Sequence, residues 1–504
     1  ELNDLRGAGT LKELEVRVFR ENKTSEFIEK LRNFSVRPVL TAHPTQFYPG
    51  AVLGIINDLV AAIEKNDAAL INTYLQQLGR TPFFKKQKPT PFDEATSLIW
   101  YLENVFYEAV GNILVDLKNS FPNDEIKIEG LIKMGFWPGG DRDGNPFVTS
   151  AATLKTADAL RRAILRCYYR DARKLKRRLT FAGVESLLSE LDEKLYNEAF
   201  SSGGEQKPNL TKQEVLKYLY DIREIIVGEH NGLFAHLVNN LIYKVETFGL
   251  YFAALDVRQE AGVHGRVLEE AVRSGFLPDD YAALSDAGKI ETLVQIRHAA
   301  AVETFADDLS KDTLQTLAAI RRIRDRNGAA GCERYVISQC RSALNVIEVY
   351  GLFMLGGWRP EDLTVDIVPL FETIADLKNA STVMRELYEI PAYRAHLKRR
   401  GDAQTIMLGF SDGTKDGGYL MANWSIYKAK DELTRLAQEF GVSVIFFDGR
   451  GGPPARGGGK THKFYSSMGA NVSNRAIELT IQGQTVSSNF GTVESARYNI
   501  EQLL

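Results

Sequence analysis

Eight short apolar stretches recur along the chain, each ending in a polar or glycine-rich turn and followed by residues with helical spacing. They cover 36–43 (VRPVLTAH), 135–144 (GFWPGGDRDG), 251–259 (YFAALDVRQ), 334–340 (RYVISQC), 365–372 (VDIVPLFE), 404–412 (QTIMLGFSD), 442–450 (VSVIFFDGR) and, with the weakest pattern, 479–491 (LTIQGQTVSSNFG). Several are apolar at successive positions rather than alternating, the pattern of strands covered on both faces in a parallel sheet. Intervening helices such as Tyr427 to Gly441, closed by its glycine, supply the crossovers. The pattern predicts an α/β fold, a closed (β/α)8 barrel of the TIM type; a doubly wound open sheet leaves the same local signature. Residues 51–130 and 150–245 are helical in spacing over lengths that a minimal barrel does not need. They predict helical insertions in a single domain spanning 1–504, predominantly α-helical overall.

Composition narrows the setting. With 504 residues, 44% hydrophobic and 25% charged, the chain can bury a large core. A net charge of -3 argues against a dedicated nucleic-acid binder and against attachment to membranes through basic patches, which leaves small molecules as partners. The basic run 161–178 reads as the solvated face of a long helix. Cys167, Cys332 and Cys340 offer neither a disulfide framework nor metal-site spacing, which fits a reducing cytoplasm. No apolar run approaches the ~18 residues of a membrane span, and the first residues, ELNDLRGAGT, lack a signal-peptide pattern.

Chemistry gathers at the strand ends. His43, Asp141, Arg142, Asp143, Arg258, Glu372, Asp412 and Arg450 each close a predicted strand, and in a barrel those ends converge on one face. Glu372 and Asp412 together suit a hard, oxygen-seeking cation such as magnesium, although each alone reads equally as a surface-turn carboxylate. Phe446 to His462 carries Asp448, Arg450, Arg456, Lys460 and His462 among six glycines, a loop suited to holding an anion. PARGGGKT (454–461) falls short of a nucleotide phosphate loop, because Pro454 stands at the first glycine and has no N–H to offer. Lys415 lies beside Asp412 and Asp416 in a segment that also reads as a plain polar turn, and Arg258 has Asp256 and Glu260 as possible structural partners.

In order, TAHPT, GGDRDGNP (139–146), TFGLYFAALDVRQE (247–260), VPLFET (368–373), FSDGTKDGG and GRGGxxxRGG (449–458) resemble the signature segments of phosphoenolpyruvate carboxylase. The resemblance spans nearly the whole chain. It implies a barrel embedded in helices, phosphoenolpyruvate and bicarbonate as substrates, oxaloacetate and phosphate as products, Mg2+ or Mn2+ as cofactor, and a cytoplasmic homotetramer serving anaplerotic carbon fixation. Residue by residue, it implies His43 as the base that deprotonates carboxyphosphate. Glu372 and Asp412 match metal ligands; Arg258, Arg450 and Arg456 match holders of phosphate and carboxylate; Trp137 matches the bicarbonate pocket, and Lys415 an active-site lysine. The chain departs from the family at Asp448, where many members carry histidine, at Pro453-Pro454-Ala455, and at Gln46, where glutamate is common. It is also expected to be incomplete at both ends relative to the family, which leaves open a fragment of a longer chain, a shortened homologue, or a relative or regulatory fragment that binds phosphoenolpyruvate without turnover. A different barrel enzyme acting on a phosphorylated enol or keto acid is the further alternative.

Overall fold

The computed structural model describes residues 10–41, 50–83, 89–121, 126, 128–200, 210–452, 459 and 461–504. Its centre is a closed barrel of eight parallel strands in sequential order: β1 Ser35–Thr41, β2 Gly135–Phe136, β3 Ala254–Glu260, β4 Arg334–Ser338, β5 Asp366–Phe371, β6 Ala403–Gly409, β7 Ser443–Gly451 and β8 Ala476–Gln482. Ser35 to Thr41 pairs with Ala476 to Gln482 to close the ring, so the open-sheet alternative is excluded. All eight apolar stretches carry a strand. Two boundaries differ from expectation. The stretch at 135–144 keeps only two strand residues before Trp137 O turns back to accept the N–H groups of Gly140 and Asp141 at 2.8 and 2.9 Å. The stretch at 479–491 leaves the barrel after Gln482, and Gly483–Asn489 is helix.

The inserted segments are helical, as their spacing predicts. Gly50–Glu64, Ala68–Arg80, Pro91–Tyr101 and Tyr107–Ser120 lie between β1 and β2; Ser150–Lys176, Val184–Phe200, Lys212–Glu229 and Ala235–Phe248 lie between β2 and β3. Local chemistry sets their ends. Thr90 and Thr211 each form a reciprocal capping box, with Asp93 and Glu214 respectively. The basic run is less solvated than expected, because other inserted helices cover part of it. Arg161 is buried and donates to Glu198 and to the carbonyls of Leu210 and Arg326, while Arg166 pairs with Glu103.

Outward-facing strand residues join the helices in one large apolar core. Inside the barrel, Val39, Trp137, Val336, Val368, Leu370, Met407 and Phe447 form a separate apolar cluster. A charged layer lies one alternation earlier on the same inward faces, at register positions where Arg37 is level with Glu478, and Arg334 with both Asp256 and Asp366. Arg37 meets Asp256 at 2.7 Å, and Arg334 donates to Glu478 at 2.8 Å. Asp366 lies 3.8 Å from Arg334 and 2.8 Å from Arg400. The barrel is therefore filled by a floor of paired charges beneath an apolar layer.

Candidate active site

Above the apolar layer, the ends of β2, β3, β5 and β6 bring together most of the residues singled out in the sequence. The GGDRDG loop is stitched onto the end of β3: Arg258 N–H donates to Gly140 O at 3.0 Å, and Arg142 N–H donates to Arg258 O at 2.8 Å. Glycine is required for so close an approach. A Cβ at Gly140 would stand 2.1 Å from Asp256 O, and Gly139 combines a φ of +81° with contact to Thr156.

This stitching sets Asp141 and Asp143 against Arg258. Arg258 donates through Nε and Nη2 to both oxygens of Asp141, at 2.7 and 3.0 Å, and lies 3.5 Å from Asp143. Its guanidinium sits 4.7 Å over the Trp137 ring. Burial works against its charge, but Asp141, Asp143 and Glu372 more than compensate and raise its pKa further. Of the structural partners open to Arg258, neither Asp256 nor Glu260 is used: Asp256 faces the floor, where it pairs with Arg37 and accepts the Trp137 indole N–H at 3.1 Å. Arg142 points away as well, held by Gln259, Asp312 and Thr316.

Glu372 follows β5 and accepts the N–H of Gln339 at 2.9 Å, from a backbone position with a φ of +54° after β4. Burial pushes its carboxyl above the ordinary range. The Gln339 N–H and Arg258 pull it down, and the negative fields of Asp412 and Asp143 push it up again. Asp412 begins the helix Ser411–Glu439, whose backbone breaks at Gly418 with a φ of +77°, and there it pairs with Lys415 at 2.7 Å. The segment read as a possible plain turn is thus a short helical stretch ahead of a kink. Asp416 accepts the N–H of Ile374, tying this stretch to the first turn of the helix Ile374–Glu389 that follows Glu372. Among the described residues no group of three or more His, Cys, Asp or Glu side chains is arranged to hold a metal. Two carboxylates with water and substrate oxygens remain the donor set that magnesium ordinarily takes from a protein.

Arg450 occupies a different position. Its guanidinium packs 4.0 Å over Phe464 and 5.6 Å from Phe410, buried on the helix-facing side of the end of β7. Asp448 also faces outward, accepting from Lys430 at 2.7 Å and from the Tyr465 hydroxyl at 2.8 Å. Tyr465 is held far above the usual phenol range, by burial first and the Asp448 charge second. Asp448 is thus a neighbour of Arg450 in sequence with its own cationic partner. That partner was not evident beforehand, because Lys430 is one lysine among several on an amphipathic helix. His43 and Arg456, with Gln46, Pro453-Pro454-Ala455 and Lys460, lie outside the described residues.

A (β/α)8 barrel with a cation, carboxylates and an aromatic platform at the C-terminal ends of its strands defines the class, that of barrel proteins whose site is built from βα loops. Within it, the family profile described as phosphoenolpyruvate carboxylase matches residues 3–215 and 195–504, and the chain belongs to that family. Phosphoenolpyruvate carboxylase of Paraburkholderia xenovorans is 30% identical over 94% of this chain and 55% of the relative. Its namesake in Xanthomonas campestris is 30% identical over 95% of this chain and 58% of the relative. The chain therefore spans little more than half the length of these curated relatives.

Proposed function

We propose that this chain supplies the barrel of a phosphoenolpyruvate carboxylase, joining phosphoenolpyruvate and bicarbonate to give oxaloacetate and phosphate. The observation that carries the reading is the cluster of Trp137, Arg258, Asp141, Asp143, Glu372 and Asp412 at one barrel mouth, in a chain whose family is known. Arg258 and Trp137 receive the anionic groups, while Asp141 keeps the guanidinium fork aligned. Glu372 and Asp412 hold Mg2+ or Mn2+, which, when bound, neutralises charge on phosphate and enolate oxygens. Attack of a bicarbonate oxygen on phosphorus transfers the phosphoryl group and releases the enolate of pyruvate. His43 takes the proton of carboxyphosphate, which breaks down to carbon dioxide and phosphate, and C3 of the enolate then attacks the carbon dioxide. Arg456 and Lys415 contribute positive charge around the transferred groups, whereas Arg450, packed on Phe464 and Phe410 behind β7, is left without a direct role in this reading. The same reading makes the protein a cytoplasmic homotetramer that replenishes oxaloacetate. No helix among the described residues is long and apolar enough to cross a membrane.

Oxaloacetate and phosphate are measured together from phosphoenolpyruvate, bicarbonate and magnesium. Equimolar formation is expected, and a folded preparation that yields no oxaloacetate sinks the reading. Phosphate accompanied by pyruvate identifies a relative that forms the enolate without carboxylating it. Glu372→Ala and Asp412→Ala each raise the magnesium concentration for half-maximal rate by roughly tenfold or more, since losing even an outer-shell partner of a metal ligand costs that much; unchanged metal dependence places the cation elsewhere.

A further inference from the structure

The buried pair Arg37–Asp256 is unusual in what it touches. Both side chains are 0% exposed, with Arg37 Nη2 donating to Asp256 Oδ1 at 2.7 Å and Nη1 to Oδ2 at 3.3 Å. Asp256 Oδ2 also accepts the Trp137 indole N–H at 3.1 Å. As a stabilising device such a pair is replaceable, since well-packed apolar residues of similar volume serve a barrel interior as well or better. Its geometry has a second consequence. The Trp137 peptide is fixed by its N–H to Leu40 O at 2.9 Å, and the ring meets Phe447 edge to face at 5.9 Å. What remains is the rotation of the indole, and the hydrogen bond to Asp256 sets it. The Arg258 guanidinium lies on the other side of this arrangement, 4.7 Å over the ring, with Asp141 aligning its fork.

We propose that Asp256, as the acceptor of the indole N–H, is a positioning residue for the Trp137–Arg258 pair. Through the indole it sets where Arg258 receives the substrate's anionic groups, and it makes no contact with them itself. The proposal rests on the functional reading above for the roles of Trp137 and Arg258.

Two double variants separate positioning from stability. Arg37→Met with Asp256→Asn removes the ion pair but keeps a carbonyl oxygen for the indole. Arg37→Met with Asp256→Leu removes the pair and the acceptor together. The readouts are the 15N–1H indole resonance of Trp137, assigned with Trp137→Phe, the melting temperature, and KM and kcat for phosphoenolpyruvate and for bicarbonate. With asparagine the indole resonance stays at a hydrogen-bonded shift and kcat/KM stays close to wild type. With leucine the resonance moves to that of a free indole and kcat/KM falls by roughly 10²-fold, the scale of a small misplacement of a binding group. Equal kinetics in the two variants overturn the proposal even if both melt lower than wild type, and so does an unmoved indole resonance in the leucine variant. If wild type itself forms no oxaloacetate, the functional reading fails separately, and the indole resonance still decides whether Asp256 positions the ring.

Discussion

Asp448→Asn tests the account of the most conspicuous departure from the family. In wild type, Lys430 and Asp448 meet at 2.7 Å with side chains 3% and 1% exposed, and the ammonium lies among the rings of Phe446, Phe464 and Tyr465 at 5.3 to 5.6 Å. Asparagine keeps the shape and an acceptor for Tyr465 but removes the charge that balances Lys430. Breaking a buried pair from one side costs about 3–5 kcal/mol. At an unfolding entropy of about 2.1 cal/mol/K per residue over 504 residues, that lowers the melting temperature by about 3–5 °C. Asp448→His, which restores the residue common in the family, lowers it at least as far, because it sets a second cationic or donor group against Lys430. The assay is thermal unfolding followed by far-ultraviolet circular dichroism at neutral pH, with Lys430→Met/Asp448→Asn alongside. That double variant is expected to recover most of the loss, since it leaves no charge stranded and keeps an acceptor for the Tyr465 hydroxyl. The reasoning is refuted if Asp448→Asn melts within 1 °C of wild type, an interval chosen as about a third of the smallest expected shift. It is refuted equally if the double variant melts no higher than the single one.

Other outcomes follow from the floor of the barrel and the stitched loop. Glu478 is buried, which alone would raise its pKa, but Arg334 overrides this and holds it below the ordinary 4.5. Its stabilising contribution is therefore complete above the unfolded-state value and is lost as pH falls through the lower folded value. Glu478→Gln should lower stability at pH 7, and the gap to wild type should close below about pH 4.5; denaturant unfolding across pH checks this, and a gap constant down to pH 3 contradicts it. Gly140→Ala forces a methyl against Asp256 O and should cost about 1–3 kcal/mol while loosening Arg258. Wild-type melting together with unchanged phosphoenolpyruvate affinity would count against the close approach.

Strand count and helical insertions were legible in the sequence, because continuous apolar runs separated by helical spacing have few architectures that bury them; strand order was not, since a closed barrel and an open sheet share that local pattern and the pairing of β1 with β8 decided between them. The convergence of Asp141, Asp143, Arg258, Glu372 and Asp412 was legible too, since each closes a strand and a barrel gathers strand ends. What the sequence left open was direction and partnership. Arg258 had several carboxylates nearby in sequence, and the stitching of the GGDRDG loop chose Asp141. Asp448 and Arg450 sit on one alternating face of β7, and only the packed helices behind that strand supplied partners, Lys430 from Ser411–Glu439 to one and Phe464 from Thr461–Ser466 to the other. Arg37 and Asp256 are 219 positions apart, and only closure of the barrel brought them together under Trp137. Periodicity reports which residues are buried and at which end of an element a polar group falls. The partner a buried charge finds depends on long-range register, which the local pattern of one chain does not encode.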